Sequence, residues 1–288
     1  MHKFASIKDY YSLLKPGVMS LIVFTAIAGF VLAEGEKNIF LIAITLVAIS
    51  LASGGAAALN MWYDYDIDKI MQRTKNRPLP LGKILPDDAL AYGIILCLIA
   101  LILIFLSSNQ LASIILFIAI LFYVLIYTIW LKRRTAQNIV IGGAAGSFPP
   151  LIAYVSITNH ISIEAILMFM IIFLWTPPHF WALALYRNDD YQKAKIPMLP
   201  VVSGIKKTLY YIIFYSILMA IATYLLAIYS NKLGLIYLAF VTIANIAFGF
   251  YLFRLIKEPN KDTSIKAFIF SIFYLFIIFI ALIIDVII

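Results

Sequence analysis

Nine stretches of this sequence, each roughly 20 residues long, consist almost entirely of apolar side chains. A helix rises about 1.5 Å per residue, so a segment of this length crosses the hydrocarbon layer of a membrane. Because lipid offers no partner for backbone polar groups, such segments are expected to be helical. The sequence therefore predicts one all-α, polytopic membrane domain over residues 1–288, with spans near 14–33, 39–60, 87–107, 110–131, 138–158, 162–185, 208–229, 233–253 and 266–286.

The basic residues fall on one side of these spans. The chain carries 22 Lys and Arg residues against 14 Asp and Glu residues, a net charge of +8. When successive loops are assigned to alternate sides, only Lys37 and Lys232 lie opposite the other basic residues. The positive-inside rule then predicts a cytoplasmic N-terminus and an external C-terminus. The charge is thus explained by a lipid bilayer, and no nucleic-acid partner is expected.

The first ten residues carry no targeting signal that would be removed. They contain neither a cleavage site of small residues nor an Arg-rich, acid-poor presequence. We therefore expect the first span to be retained, in a bacterial inner membrane rather than a mitochondrial one.

Two long loops on the cytoplasmic side, residues 69–86 and 186–207, follow the second and sixth spans. Each continues from aspartate through basic residues into a proline-bounded turn. Because these spans run in the same direction, the likeness indicates two four-helix units, with a ninth helix added, around a central chamber. Paired prolines at 149–150 and 177–178 support the chamber, since they free backbone carbonyls that need partners or a cavity.

Three oxygen-bearing side chains recur at four-residue spacing at the end of the second span. Asn60, Asp64 and Asp68 share one helix face at this spacing, whereas Asp66 is rotated about 200° away and is expected to be interfacial. A helix C-terminus disfavours carboxylates, and Asp190 repeats that placement after the sixth span. Mg²⁺ prefers a few carboxylates together with water and phosphate oxygens. We predict that Asn60, Asp64, Asp68 and Asp190 form the catalytic and metal-binding set.

Basic side chains surround these acids on the same side of the membrane. Guanidinium groups match the geometry of phosphate, so the combination indicates a metal diphosphate rather than a bare cation. The alternative is a merely solvated basic loop, because cytoplasmic loops are basic in any case. The preferred ligands of the diphosphate are Arg73, Arg77, Lys132 and Arg187.

The motif N-x-x-x-D-x-x-x-D at 60–68 resembles the first motif of the intramembrane prenyltransferase family that includes 4-hydroxybenzoate polyprenyltransferase. Three longer strings are similar to the haem-modifying branch of that family. They are D-x-D-I-D-K-x-M-x-R-T-K-N-R-P-L at 64–79, P-P-H-F-W-A-L-A at 177–184 and Y-R-x-x-D-Y-x-x-A-x-I-P-M-L-P at 186–200. The wider family usually places a second aspartate where this chain has Ala194, which puts a second fully protein-bound Mg²⁺ in doubt.

The resemblance implies transfer of a farnesyl group from farnesyl diphosphate to the vinyl group of haem b. Water adds in the same reaction, and the products are haem o and diphosphate. Mg²⁺ is the implied cofactor, haem b is a substrate, and a downstream haem a synthase is an implied partner.

His179 lies in the P-P-H-F-W string and is the candidate haem-binding residue, since a neutral imidazole is a standard axial ligand of haem iron. A hydrogen bond between helices is the alternative role for such a histidine. Aromatic side chains could shield an allylic cation from water, although a single aromatic residue is more often in the core or facing lipid. The candidates are Trp62, Tyr63, Tyr127 and Trp175.

Two other functions remain open from the residues alone. One is prenylation of an aromatic acid in a quinone pathway, against which the P-P-H-F-W and Y-R-x-x-D-Y strings speak. The other is a cation-coupled transporter, because acids at helix ends and proline-broken helices also mark ion pathways. Against transport, the acids cluster on one side, and no trail of ionisable residues crosses the membrane.

Overall fold

The computed structural model describes residues 5–288, and every regular element in that range is helical. Eight of the described helices are long and apolar enough to cross a membrane, and a helix pair bent by 54° supplies a ninth span. The prediction of an all-α protein with nine spans is confirmed when the bent pair is counted. The helices are α1 (Ile7–Leu13), α2 (Pro16–Leu32), α3 (Ile39–Tyr63), α4 (Tyr65–Ile70), α5 (Pro86–Ser107), α6 (Gln110–Leu121), a π-helix (Phe122–Leu131), α7 (Asn138–Gly142), α8 (Ala144–Thr158), α9 (Ile163–Tyr186), α10 (Asn188–Lys193), α11 (Leu199–Tyr229), α12 (Leu235–Lys257) and α13 (Lys261–Ile287).

Polar caps and prolines set where the spans begin. The side chain of Asn38 accepts hydrogen bonds from the backbone N–H groups of Phe40 and Leu41 at the start of α3. Proline occupies the first helical position of α2 and α5, where its missing N–H would have no partner anyway. The start of each of these spans is therefore encoded locally.

Small residues allow neighbouring helices to approach closely. A Cβ atom built on Gly55 of α3 would lie 2.8 Å from both the Cys97 sulfur and the Gly93 carbonyl oxygen of α5. A Cβ on Gly29 of α2 would overlap the carbonyl oxygen of Pro150 in α8. Glycine at these two positions removes that steric conflict, as is common where membrane helices cross.

The last span closes the bundle. The α13 helix packs against α9, α12 and α2, while α9 also packs against α8 and α11. The indole Nε1 of Trp175 in α9 donates a hydrogen bond of 2.7 Å to the backbone carbonyl of Ser271 in α13. The helix that the sequence suggested as an addition to two four-helix units is thus integrated into the packing.

The two predicted loops differ in structure. Residues 71–85 consist mainly of turns, whereas most of 186–207 is helical, because α10 lies within it and α11 already begins at Leu199. The early start of α11 has a local cause, since a proline follows in its first turn. Gly204 interrupts α11 with φ 76°, a conformation that glycine adopts without strain.

An apolar cavity lies between α2, α3, α6 and α8. Small side chains from α3 and α8, among them Ala52, Ala56 and Gly146, line much of it. Pro149 is also part of the wall, as expected from the paired prolines of α8. The aliphatic chain of Lys15 forms part of the lining as well, which brings a charged group to this apolar space.

Candidate active site

The acid motif remains on one face although the helix changes direction within it. The α3 helix ends at Tyr63, and α4 begins one residue after Asp64. Backbone hydrogen bonds still run from Asp64 N to Asn60 O (3.0 Å) and from Asp68 N to Asp64 O (2.8 Å). The helical spacing therefore survives the bend, and the three side chains are buried, with exposed fractions of 3%, 0% and 2% for Asn60, Asp64 and Asp68.

Asp64 is the centre of a hydrogen-bond network. Its Oδ2 atom accepts hydrogen bonds from Asn60 Nδ2 (2.8 Å) and from the ammonium group of Lys132. The same Asn60 nitrogen lies 3.1 Å from the hydroxyl of Thr128. Arg133 Nη2 lies 3.6 Å from Asp64 Oδ1, too far for a hydrogen bond, and that oxygen is buried without a partner among residues 5–288. Oδ2 of this carboxylate thus already accepts two hydrogen bonds, whereas Oδ1 is available to bind a ligand.

Asp68 holds the turn-rich segment 71–85 over the acids. Its Oδ2 atom accepts a hydrogen bond of 2.6 Å from Arg77 Nη1. Its backbone carbonyl accepts a hydrogen bond of 3.1 Å from the Thr74 hydroxyl. Arg77, one of the predicted diphosphate ligands, therefore lies directly beside the acid cluster.

Asp190 lies on α10 and contacts Gln72, in the turn-rich segment that follows α4. Its Oδ1 atom accepts a hydrogen bond of 3.4 Å from the backbone N–H of Gln72, and its Oδ2 atom is buried with no partner in the described part of the chain. Asp189 beside it is exposed and pairs with Lys261 at 3.1 Å. Of these two adjacent aspartates, Asp190 is therefore buried and Asp189 lies at the surface.

The donor set fits a hard divalent cation that is shared with a bound anion. In residues 5–288, no three Asp, Glu, His or Cys side chains converge closely enough to hold a metal ion by themselves. Asp64 and Asp190 nevertheless each present one buried carboxylate oxygen without a hydrogen-bond partner. Mg²⁺ is held by one or two carboxylates with water and phosphate oxygens completing its shell, so these residues fit it only together with a phosphate ligand.

The four predicted basic ligands fall into two groups. Lys132 and Arg77 contact Asp64 and Asp68, whereas Arg73 is exposed and forms no ion pair within the described part of the chain. Arg187 is half-buried, with its guanidinium carbon 4.9 Å from the ring centroid of Tyr186 and its Nε atom buried without a partner.

Arg133 was not singled out from the sequence, yet it ties α4 to the end of the π-helix. Its guanidinium donates hydrogen bonds of 2.7 and 2.8 Å to the two oxygens of Asp66 and one of 2.8 Å to the carbonyl of Tyr63. These bonds to Arg133 hold the pKa of Asp66 below its ordinary value. Asp66 is 64% exposed, in keeping with its predicted interfacial position.

Lys15 also reaches the acid cluster, although the sequence offers no reason to place it there. Its Nζ atom donates a hydrogen bond of 2.8 Å to Asn60 Oδ1 and lies 3.5 Å from the hydroxyl of Tyr123. Lys15 and Asn60 are 45 positions apart in the sequence. A basic residue before the first span is expected from the positive-inside rule alone, so the sequence pattern gave no reason to place Lys15 beside Asn60.

A π-helix supplies the wall opposite the acids. Its wider turn is visible in the hydrogen bond of 2.9 Å from Lys132 N to Tyr127 O, five residues earlier. The rings of Tyr123 and Tyr127 are stacked with centroids 5.5 Å apart. Gly142 makes room for the Tyr127 ring, because a Cβ there would overlap it. The π-helix therefore aligns two aromatic faces and Lys132 on the same side.

The other aromatic candidates have structural contacts. Trp62 packs with the cluster around Leu13 and Leu79, and Tyr63 donates a hydrogen bond of 3.3 Å to the Ile129 carbonyl. The Trp175 ring stacks on that of His179, with ring centroids 4.2 Å apart. Of the four named from sequence, Tyr127 alone stacks on a residue that lines the cavity, Tyr123.

His179 is buried between α9 and α13 and is absent from the cavity lining. Its ring lies between Trp175 and Phe268, with centroids 4.2 and 4.5 Å away. The Ser271 hydroxyl donates to the Phe268 carbonyl at 2.6 Å and accordingly accepts from His179 Nδ1 at 2.7 Å. This arrangement leaves the lone pair of the ring on Nε2.

Comparison with known proteins agrees with this geometry. The UbiA prenyltransferase family matches residues 22–280. The chain is 49% identical over 288 residues to a protoheme IX farnesyltransferase of Sinorhizobium fredii, covering 98% of this chain and 89% of that protein. It is 48% identical over 278 residues to a protoheme IX farnesyltransferase of Orientia tsutsugamushi, covering 96% of this chain and 89% of that protein.

Solved structures share the fold. A structure of digeranylgeranylglyceryl phosphate synthase aligns with a TM-score of 0.81 at 25% identity, covering 98% of this chain and 99% of that one. A UbiA homolog from Archaeoglobus fulgidus, solved with DMAPP and Mg²⁺, aligns with a TM-score of 0.68 at 15% identity, covering 95% and 99%. From the extent of these matches, the chain belongs to the UbiA prenyltransferase family and groups with its protoheme IX farnesyltransferases.

Proposed function

We propose that this protein transfers the farnesyl group of farnesyl diphosphate to the vinyl group of haem b, with addition of water, to give haem o and diphosphate. The observation that carries the proposal is a buried set of acids and bases beside an apolar cavity, in a chain 49% identical to a protoheme IX farnesyltransferase. The cavity suits a prenyl chain, and the polar set suits its diphosphate. Haem b is a substrate of this reaction.

The charged residues have separate tasks in the proposed complex. Asn60, Asp64, Asp68 and Asp190 would hold Mg²⁺ together with the bound diphosphate. When bound, Mg²⁺ neutralises charge on the leaving diphosphate. The diphosphate itself is bound by the cationic side chains named from the sequence, Arg73, Arg77, Lys132 and Arg187. Two of them, Arg77 and Lys132, lie largely buried beside Asp68 and Asp64, where exclusion of water strengthens each electrostatic contact.

The chemistry begins when the bond between farnesyl C1 and the diphosphate oxygen breaks, with the electron pair remaining on oxygen. C1 of the allylic cation then bonds to the terminal vinyl carbon of haem b. Water adds to the other vinyl carbon and releases one proton, which leaves a hydroxyethyl group carrying the farnesyl chain. Until C1 is captured, the stacked faces of Tyr123 and Tyr127 shield the cation and stabilise it through their π electrons.

His179 is the proposed contact for haem iron through Nε2. The support is its tautomer, because the hydrogen bond from Nδ1 to Ser271 leaves Nε2 free to bind metal. Since His179 does not line the cavity between α2, α3, α6 and α8, haem would approach from the side of α9 and α13. Farnesyl diphosphate and haem would thereby enter from different sides.

The orientation and setting are also proposals. We place the acid cluster and the N-terminus in the cytoplasm and the C-terminus outside a bacterial inner membrane, on the strength of the loop charges. Residues 1–288 act as one catalytic domain, and a haem a synthase takes up the product. Reporter fusions after Ile288 test this, since an external C-terminus predicts activity only of a periplasmic reporter.

The proposed reaction is tested with purified protein in lipid nanodiscs, farnesyl diphosphate and haem b. We expect Mg²⁺-dependent release of diphosphate and formation of a product heavier than haem b by a farnesyl group and a hydroxyl group. Chelation of divalent ions should stop both, and restored Mg²⁺ should recover both. Diphosphate release without any haem product would overturn the choice of acceptor.

A further inference from the structure

We propose that Lys15 binds the diphosphate of the allylic substrate at the junction between the apolar cavity and the acid cluster. No motif of the family resemblance includes this residue. The inference rests on the proposed prenyl transfer and adds a diphosphate contact from the start of α2.

The backbone places Lys15 at a sharp break between two helices. The α1 and α2 axes are bent by 54°, and Lys15 precedes α2 with φ 51° and ψ 63°. Residues other than glycine rarely adopt this left-handed conformation, and such positions concentrate at functional sites. The conformation directs the side chain inward, where its aliphatic part lines the cavity.

The ammonium group of Lys15 has no anionic partner among the described residues. Across residues 5–288, no carboxylate lies within 4.0 Å of its Nζ atom. Its polar neighbours are Asn60 Oδ1 at 2.8 Å and the Tyr123 hydroxyl at 3.5 Å. An ammonium group has three donors, and placing its charge beside apolar side chains is unfavourable without a counter-ion. An anion is therefore the missing partner.

Asn60 fixes where that anion lies. Its Oδ1 atom accepts from Lys15 while its Nδ2 atom donates to Asp64, so one amide joins Lys15 to the Asp64–Lys132 pair. The carbon chain of Lys15 lines the cavity together with Ala56. A ligand with its apolar chain in the cavity has its anionic head between the two lysines. This is the shape of an allylic diphosphate.

The position of Lys15 is stabilised from the cytoplasmic side. The Ser6 and Asp9 side chains cap the start of α1, and Asp9 also accepts a hydrogen bond of 3.0 Å from Lys83. Leu13 at the end of α1 is fully buried against Leu79 and its neighbours. The segment that carries Arg77 therefore also holds α1, and both cations are oriented before substrate arrives.

In the reaction, Lys15 donates a hydrogen bond to the oxygen that leaves C1. The carbon–oxygen bond breaks with its electron pair on that oxygen, and Lys15 keeps its proton and offsets the new charge. A donor that is already oriented stabilises developing charge more than ground-state charge. Loss of Lys15 should therefore reduce both diphosphate affinity and the rate of ionisation.

The test compares Lys15→Met with Lys8→Met, a matched control because Lys8 is exposed on α1 and forms no ion pair within the described residues. Binding of inorganic diphosphate and of farnesyl diphosphate is measured with Mg²⁺ in nanodiscs, together with kcat and KM for both substrates. For Lys15→Met we expect at least tenfold weaker binding of both diphosphates, a lower kcat and an unchanged KM for haem. Lys15→Arg should restore part of the binding, and Lys8→Met should match the wild type.

Unchanged diphosphate binding in folded Lys15→Met would overturn the inference. A rise in the KM for haem alone would also overturn it, because Lys15 would then bind a carboxylate of the acceptor. If Lys15→Met does not fold, Lys15→Gln is measured in the same way. Wild-type protein that binds diphosphate but forms no haem product would contradict the proposed function while leaving the Lys15 result intact.

Discussion

Replacing Asp64 by asparagine removes one buried negative charge and almost no volume. The carboxylate is fully buried, its Oδ2 atom binds Asn60 and Lys132, and its Oδ1 atom is without a partner. In Asp64→Asn, an amide oxygen can still accept from Lys132, but the ammonium loses its counter-ion. The unpartnered oxygen available to a cation also loses its charge.

The size of the effect follows from these contacts. Removing one partner of a fully buried ion pair costs about 3–5 kcal/mol. Lys132 is 18% exposed and keeps a neutral acceptor, so we expect a smaller loss of stability, about 1–3 kcal/mol. Removing one group that stabilises transition-state charge costs about 2.7–4 kcal/mol, which corresponds to a decrease in kcat of about 10²–10³-fold.

The assay measures haem product by mass spectrometry under saturating Mg²⁺ and farnesyl diphosphate, alongside thermal unfolding. The control is Asp66→Asn, which removes the same charge two residues away, where the side chain is 64% exposed and paired with Arg133. An exposed ion pair contributes about 0–1 kcal/mol to stability, so Asp66→Asn should fold like the wild type and retain its activity within about fivefold. Wild-type turnover by folded Asp64→Asn would refute the site, as would equal losses in both variants.

Three further perturbations probe the packing, the cavity and the haem contact. Gly29→Ala should destabilise the protein by about 1–3 kcal/mol, because its Cβ would overlap the Pro150 carbonyl, whereas Gly249→Ala, with nothing within 4 Å, should not lower the unfolding temperature. Ala56→Phe should raise the KM for farnesyl diphosphate by about tenfold or more while a geranyl donor is still used, as steady-state kinetics with both donors would show. His179→Ala should abolish the spectral shift of bound haem b without changing diphosphate binding, and an unchanged haem spectrum would refute ligation.

The fold could be predicted from sequence because a membrane span depends on the summed hydropathy of consecutive residues. Hydropathy located the apolar segments, and caps such as Asn38 and prolines such as Pro86 mark where helices begin. The exception was residues 186–207, where α10 and the first turns of α11 were expected to be loop. A charged helix beside a membrane carries no hydropathy signal, so composition could not reveal it.

The polar site could be predicted only in part, for a different physical reason. Asn60, Asp64 and Asp68 are four residues apart, and helix geometry alone puts them on one face. Lys15 and Arg133 reach the same cluster through tertiary contacts over distances of 45 and 69 residues in the chain, from Lys15 to Asn60 and from Asp64 to Arg133. Local periodicity contains no information about such contacts. The π-helix that presents Tyr123 and Tyr127 was likewise invisible, because its sequence is uniformly apolar and aromatic.

The choice of acceptor is the central claim, and a competition experiment tests it most directly. Purified protein in nanodiscs receives farnesyl diphosphate, Mg²⁺ and equal concentrations of haem b and 4-hydroxybenzoate, and mass spectrometry follows both products. We predict that haem b gains a farnesyl group and a hydroxyl group while 4-hydroxybenzoate is unchanged. Farnesylated 4-hydroxybenzoate with unchanged haem b would contradict the account.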